Sequence, residues 1–209
     1  MTLVLASASP RRQELLSSAG IEFVVVPANI PEVRLASESP SEFAERMARE
    51  KARAVWSGLE HPCSADIEKG ATPRKPERVG YPSEVLVLGA DTVVVVDDAV
   101  LGKPSDENDA ARMLRLLAGR KHQVVTGVCL RGNNFEDVRS EATAVYFSTL
   151  NERAISSYIR SGEPLDKAGA YAIQGGASKW VSKIEGDYNN VVGLPVDLVL
   201  RMLRDHGIS

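Results

Sequence analysis

Cysteine is scarce: the 209 residues hold only Cys63 and Cys129, and these form no CxxC pattern. That excludes a disulfide framework and points to a reducing compartment, so the cytoplasm is the expected location. Histidine is equally sparse. His61, His122 and His206 are scattered, without an HExxH, which speaks against a zinc hydrolase. No apolar run reaches the roughly 20 residues of a membrane span; Val85–Val96 comes nearest, and Asp91 interrupts it. The N-terminus has no basic stretch ahead of its short apolar run and does not read as a signal peptide. There is no excess of positive charge either. A net charge of −3 argues against a general nucleic-acid binder. Neither nucleic acid nor membrane is expected as a partner, and an anionic ligand would have to be held by individually placed cations.

What is present is ordinary for a globule: 44% hydrophobic and 25% charged residues. The length suits one large domain or two packed lobes, and the reading adopted is a single domain over 1–209. Such a chain buries about 70% of its unfolded surface and needs no metal or disulfide to fold. One composition break stands out. The stretch from His61 to Ser83 holds four of the eleven prolines and no periodicity, and is expected to be a mobile surface insertion at 61–83.

The patterns on either side predict mixed strands and helices. Thr2–Ala6 and Ile21–Val26 read as strands around a helix opened by Ser9 and Pro10 and ended by Gly20. Ser39-Pro40-Ser41-Glu42 is a capping box for a helix running to about Gly58. Val85–Val96 reads as a strand with a Gly89-Ala90-Asp91-Thr92 interruption, turning back at Asp98 and Ala99. Ser105 is expected to cap the next helix. His122–Arg131 and Glu141–Phe147 read as strands joined at Gly132-Asn133-Asn134, and Thr149-Leu150-Asn151-Glu152 as another capping box. Pro195 opens the last helix. Irregular mixing of strands and helices predicts an α/β fold with a mixed sheet.

Five constellations carry chemical groups. In Ser7-Ala8-Ser9-Pro10-Arg11-Arg12, two hydroxyls, two guanidinium groups and free helix N–H groups converge at a helix start. That is a phosphate cradle or, more plainly, a turn whose arginines pair with carboxylates. Asp91 lies in an apolar run, where an ionised carboxylate must be paired, bind a metal or serve as a general base. Lys51 falls on the apolar stripe Phe43, Met47, Val55, where snorkelling is the plain explanation; Lys103 follows a strand in Leu101-Gly102-Lys103-Pro104. Together with Arg11 and Arg12 these lysines could neutralise a triphosphate. The run from Ser161 to Gly175 has small residues for close backbone approach, Asp166 and Lys167 for charge, and Gln174, whose amide can read a base edge. Asp187 to Pro195 reads as a mainly structural turn.

In this order, SASPRRQELL, AREKA, LGADTVV, GKP, PLDKAGAYAIQG and NNVVGLP resemble the Maf family of septum-formation-inhibitor-like nucleotide pyrophosphatases. The resemblance spans nearly the whole chain. It implies a two-lobed α/β fold with a central cleft, related to inosine-triphosphate pyrophosphatases. It implies hydrolysis of a nucleoside triphosphate to monophosphate and pyrophosphate with a divalent metal, usually magnesium, with manganese or cobalt as substitutes. By the resemblance Asp91 is the proton acceptor, and Arg12, Thr92 and Gln174 set base specificity. Glu32, in Asn29-Ile30-Pro31-Glu32, aligns with an acidic residue near the metal. The spelling resembles the branch acting on dTTP and UTP. The site expected on both grounds is therefore Asp91, Lys51 and Lys103 for catalysis; Ser7, Ser9, Arg11, Arg12, Thr92, Asp166, Lys167 and Gln174 for substrate; and Glu32 with Asp91 for the metal. A nucleotide-binding regulator without turnover, an interaction protein using the insertion, and a pyrophosphatase for modified purine triphosphates are the alternatives. A homodimer is the default assembly.

Overall fold

The computed structural model of the chain describes residues 1–60, 85–97 and 99–208. The insertion expected at 61–83, and Asp98 of the expected hairpin turn, lie outside the described residues. Seven strands form one mixed sheet: β1 (Thr2–Leu5), β2 (Phe23–Val25), β3 (Val85–Val96), β4 (Ala99–Leu101), β5 (Lys121–Arg131), β6 (Glu136–Phe147) and β7 (Val181–Glu185). Their order is β2-β1-β3-β5-β6-β7, with β4 beside the far end of β3. β1 is parallel to both of its neighbours, whereas β3, β5, β6 and β7 pair antiparallel. This is the mixed α/β sheet that the sequence predicts.

β3 organises the molecule. Its first half pairs with β1 through Thr2↔Val85 to Leu5↔Leu88, and most of its length pairs with β5 from Val87↔Arg131 to Val95↔Gln123. The interruption expected at Gly89–Thr92 is absent. Asp91 lies opposite Gly127 and Thr92 opposite Thr126 within an unbroken ladder. β5 pairs with this stretch along one side only; on the other, β1 stops at Leu88 and β4 starts at Val94, so other groups must supply the partners there.

One face of the sheet carries α1 (Pro10–Ser18) and α6 (Val196–Asp205), which meet it through Leu16, Leu198 and Met202 against Leu3, Leu5, Leu88 and Val128. The other face carries α2 (Pro40–Glu60). Its capping box forms as predicted: Ser39 N–H donates to Glu42 Oε2 at 2.8 Å and Glu42 N–H to Ser39 Oγ at 3.2 Å. α2 lies unusually close because Ala44, Ala48 and Ala52, one turn apart, sit over two glycines. A Cβ at Gly89 would stand 2.1 Å from the Ala48 carbonyl oxygen, and one at Gly127 2.3 Å from the Ala44 carbonyl carbon. Any side chain at either glycine would push the helix off the sheet.

A further apolar core joins the ends of β3, β5 and β6 to α3 (Glu107–Leu117) and α4 (Glu152–Ile159), with Phe147, Tyr171 and Trp180 among its members. The chain from Glu163 to Trp180 winds over it in short 3-10 turns. Gly169, at φ 68°, is pressed against Val94, and its N–H donates to the Gly102 carbonyl at 3.0 Å, which ties this segment to the turn before Lys103. A five-residue helix, α5 (Tyr188–Val192), precedes α6.

Three boundaries differ from expectation. Asp106, not Ser105, caps α3 by accepting from Asp109 N–H at 2.8 Å; an acidic cap gains more from the helix dipole than a hydroxyl. Asn151, not Thr149, caps α4, accepting from Ala154 N–H. β6 begins at Glu136 because Gly132 N–H closes a tight turn onto the Phe135 carbonyl, letting pairing start at once. Among the described residues, no helix is long and apolar enough to cross a membrane.

Candidate active site

Helical spacing alone aims Lys51 at the sheet, one turn after Met47 and one before Val55. The close seat of α2 on Gly89 and Gly127 then brings it down onto β3. Lys51 is only 7% exposed and Asp91 6%. Lys51 Nζ donates to Asp91 Oδ1 at 2.5 Å and to Glu32 Oε1 at 2.6 Å. Snorkelling is therefore excluded: the ammonium points inward and joins two carboxylates from distant parts of the chain.

The carboxylates differ in environment. Burial pushes the Asp91 carboxyl above its ordinary value, and the Lys51 and Arg12 charges only partly oppose that. Burial acts on Glu32 in the same direction, but the hydrogen bond and charge of Lys51, with the charges of Lys103 and Arg12, together outweigh it and hold Glu32 below its usual range. Glu32 has 40% of its side chain exposed. One carboxylate is thus a base with raised proton affinity inside the fold, and the other stays ionised at the rim.

Arg12 enters from the first turn of α1 and is 8% exposed. Its Nε donates to the Gly193 carbonyl at 2.8 Å, Nη1 to the Ala90 carbonyl at 2.9 Å and to Ser7 Oγ at 3.1 Å, and Nη2 to Thr92 Oγ1 at 3.0 Å. Four of the guanidinium's five N–H groups are thereby taken by the protein. Arg12 is a strut that ties α1, β3 and the turn before α6 together and orients Thr92. Thr92 Oγ1 also lies 3.0 Å from Thr126 Oγ1, and Thr126 lies 3.4 Å from the Asn190 carbonyl. Asn190, fully buried, donates to the Val124 carbonyl and Thr143 Oγ1, both at 3.0 Å. Sequence reading missed Thr126, Asn190 and the Gly193 carbonyl; the one available signal was a polar residue repeated before the apolar Val191-Val192.

Around these groups lies a cleft of about 600 Å³, the size of a small-molecule site. It brings together every residue expected from the sequence: Ser7, Ser9, Arg11, Arg12, Glu32, Lys51, Asp91, Thr92, Lys103, Asp166, Lys167 and Gln174 all line it. Ser9 caps α1 without using its side chain on the helix. Lys167 is ion-paired with Asp166. Tyr171, Ile173 and Val192 add an apolar side to the cleft. Tyr171 is fixed from behind by His122, whose Nε2 lies 2.9 Å from the tyrosine hydroxyl; burial lowers the His122 pKa to about 4, so the ring is neutral at physiological pH.

Among the described residues, no three His, Cys, Asp or Glu side chains gather as a metal cage. Asp91 and Glu32 instead offer two carboxylate oxygens meeting at one ammonium. That donor set fits a hard divalent cation that keeps water and takes phosphate oxygens as its remaining ligands, and does not fit an all-protein zinc site.

The model of the Maf-like protein family matches residues 2–206. The chain is 50% identical over 208 residues to a dTTP/UTP pyrophosphatase of Koribacter versatilis, covering 100% of this chain and 96% of that protein. It is 47% identical over 205 residues to one of Symbiobacterium thermophilum (98% and 94%), and 48% identical over 207 residues to one of Thermococcus gammatolerans (99% and 97%).

Proposed function

The chain belongs to the family of Maf-like proteins, and on that premise we propose that it is a nucleoside triphosphate pyrophosphatase hydrolysing dTTP and UTP to the monophosphate and pyrophosphate. The relatives named above carry that activity in their names, and they align with this chain along nearly its whole length. The observation that carries the chemistry is the buried Asp91, raised in proton affinity and held by Lys51 in a cleft lined with cations.

Hydrolysis requires an activated water, neutralised phosphates and a leaving pyrophosphate. In the proposed step the water oxygen bonds to the α-phosphorus as the bond from that phosphorus to the bridging oxygen breaks. Asp91 takes the proton from the water, and the pyrophosphate leaves with the electron pair of the broken bond. Lys51 keeps the Asp91 carboxylate oriented and balances its charge. Arg11, Lys103 and Lys167, together with the hydroxyls of Ser7 and Ser9 at the start of α1, hold the phosphate oxygens. Arg12 sets Thr92, and Thr92 and Gln174 meet the donor and acceptor groups of the pyrimidine. Asp91 and Glu32 would hold a divalent cation, magnesium first and manganese or cobalt as substitutes. When bound, it supplies positive charge against the phosphate oxygens. We assign the reaction to the cytoplasm, where free nucleotides are found and the buried Cys129 thiol stays reduced, with a homodimer as the default assembly.

The test is release of pyrophosphate from UTP and dTTP by the purified protein with magnesium. Chelation is expected to stop turnover and added magnesium to restore it. Tight nucleotide binding without product over hours would overturn the enzymatic reading.

A further inference from the structure

Gln174 is exposed on the cleft, so the direction of its amide is set by the backbone that carries it. That backbone is a short turn closed by Gly175 N–H donating to the Ala172 carbonyl at 3.1 Å. Two side chains outside the cleft grip it, one on each side of Gln174. Ala172 N–H donates to the Tyr158 hydroxyl at 3.0 Å. Gly176 N–H is shared between the two carboxylate oxygens of Glu163, each at 3.1 Å. The grips are joined, because the Tyr158 hydroxyl donates to Glu163 Oε1 at 2.7 Å.

The support behind this pair is firm. Tyr158 is on α4, 6% exposed, with its ring edge-on to Trp180 at 5.0 Å. Glu163 follows after Gly162, whose φ of 76° turns the chain sharply out of α4. The two glycines after Gln174 are also explained. A Cβ at Gly175 would lie 1.9 Å from Glu163 Oε1, and one at Gly176 3.2 Å from the Tyr158 ring. Glycine at both positions lets the turn settle onto the gripping groups without displacing either.

We propose that Tyr158 and Glu163 act as one positioning clip for the Gln174 turn, and so fix which base the enzyme accepts. This rests on the reading that Gln174 meets the base. Neither clip residue touches substrate. Their effect passes through the two backbone N–H groups two residues before and two residues after Gln174. Losing the clip frees the turn and weakens base discrimination, while the phosphate and proton-transfer groups on α1, α2 and β3 stay where they are.

The experiment is steady-state kinetics with magnesium on UTP, dTTP, CTP and GTP for five variants. Tyr158→Phe keeps the ring in its core place and removes only the hydroxyl; Glu163→Ala removes the carboxylate. Both are expected to raise KM for UTP and dTTP about tenfold, the net worth of one hydrogen bond, with kcat within about twofold, and to narrow the preference over CTP and GTP by the same factor. Glu163→Gln retains an oxygen able to accept from Tyr158 and Gly176, and is expected to recover most of the loss. Gly175→Ala leaves every clip group in the chain but displaces the carboxylate, and is expected to behave like Glu163→Ala. Gln174→Ala supplies the control and should narrow the preference at least as much. If it does so while Tyr158→Phe and Glu163→Ala change only thermal stability, or lower kcat equally on all four bases, the clip is refuted and base reading by Gln174 stands. If Gln174→Ala leaves the preference intact, the base reading and the clip fall together.

Discussion

The helix–sheet wall of the cleft and the turn wall around Gln174 hold their polar groups by different means. On the first, Lys51 and Asp91 sit on α2 and β3, long regular elements in contact through alanines and glycines. Their placement follows from backbone packing, and their charges are buried and paired. On the second, Gln174 sits on a turn between short 3-10 segments, held where two of its backbone N–H groups donate to side chains. Groups that must meet a reacting phosphorus need a site that cannot shift, whereas a group that selects among bases can be tuned by small movements of a turn. Turnover and selectivity should therefore respond separately to substitution.

The largest effect expected on that comparison is on turnover. Asp91→Asn should lower kcat about 10³-fold, in the range of general-base catalysis, measured as pyrophosphate release. Its stability should move the other way. Because folding raises the Asp91 pKa above the ordinary 3.8, the folded state binds more protons than the unfolded state between those two values. This group's contribution therefore falls as pH rises through that window and stays low at neutral pH. Asp91→Asn removes that loss, so its denaturant midpoint at pH 7 should equal or exceed the wild type's. A clearly lower midpoint would mean that the Lys51 pairing outweighs the burial.

Second comes a pair of glycine substitutions that sets one wall against the other. Gly127→Ala places a methyl group 2.3 Å from the backbone of Ala44, which cannot yield without moving α2. A loss of about 2–3 kcal/mol is expected, with reduced kcat as Lys51 shifts. Gly175→Ala meets only the tip of the Glu163 side chain, so stability should change by less than about 1 kcal/mol. Thermal unfolding of the two variants checks this, and equal losses would mean that the two walls are held with equal rigidity.

The third effect is on pH dependence. In the metal-free protein the Asp91 carboxyl should titrate above the ordinary aspartate value of 3.8, because burial raises its pKa. The carboxyl signals of wild type and Asp91→Asn, followed by NMR against pH without metal, measure it. A carboxyl assigned to Asp91 that titrates below 3.8 would contradict the burial argument.

Much of the first wall was legible in the sequence, because its signals are local. The capping box at Ser39, the lysine on an apolar stripe and the aspartate inside a valine run each follow from a few neighbouring residues. Their meeting did not, since Lys51 and Asp91 are brought together by Gly89 and Gly127, whose value lies in what they leave out. Arg12 shows the limit more sharply. Its position at a helix start suggested a phosphate fork, yet its partners at Ala90, Thr92 and Gly193 lie far along the chain and appear only once the sheet is assembled. The Gln174 turn was visible as a run of small residues, but the grip of Tyr158 and Glu163 joins residues more than ten apart through backbone N–H groups, and no side-chain pattern marks those.

Smallest in total rate, but sharpest for the turn wall, is Gln174→Glu. It exchanges an amide that can donate and accept for a carboxylate that only accepts. The order of substrates should change by about tenfold in relative kcat/KM, with little change in the best kcat.

The most direct measurement is kcat/KM for UTP, dTTP, CTP, GTP and ATP with magnesium in wild type, Asp91→Asn and Gln174→Glu. Asp91→Asn should lower every substrate by one common factor and leave their order unchanged, while Gln174→Glu should reorder them. An Asp91→Asn variant that reorders the bases, or a Gln174→Glu variant that lowers all of them equally, would contradict the separation of proton transfer at Asp91 from base selection at the Gln174 turn.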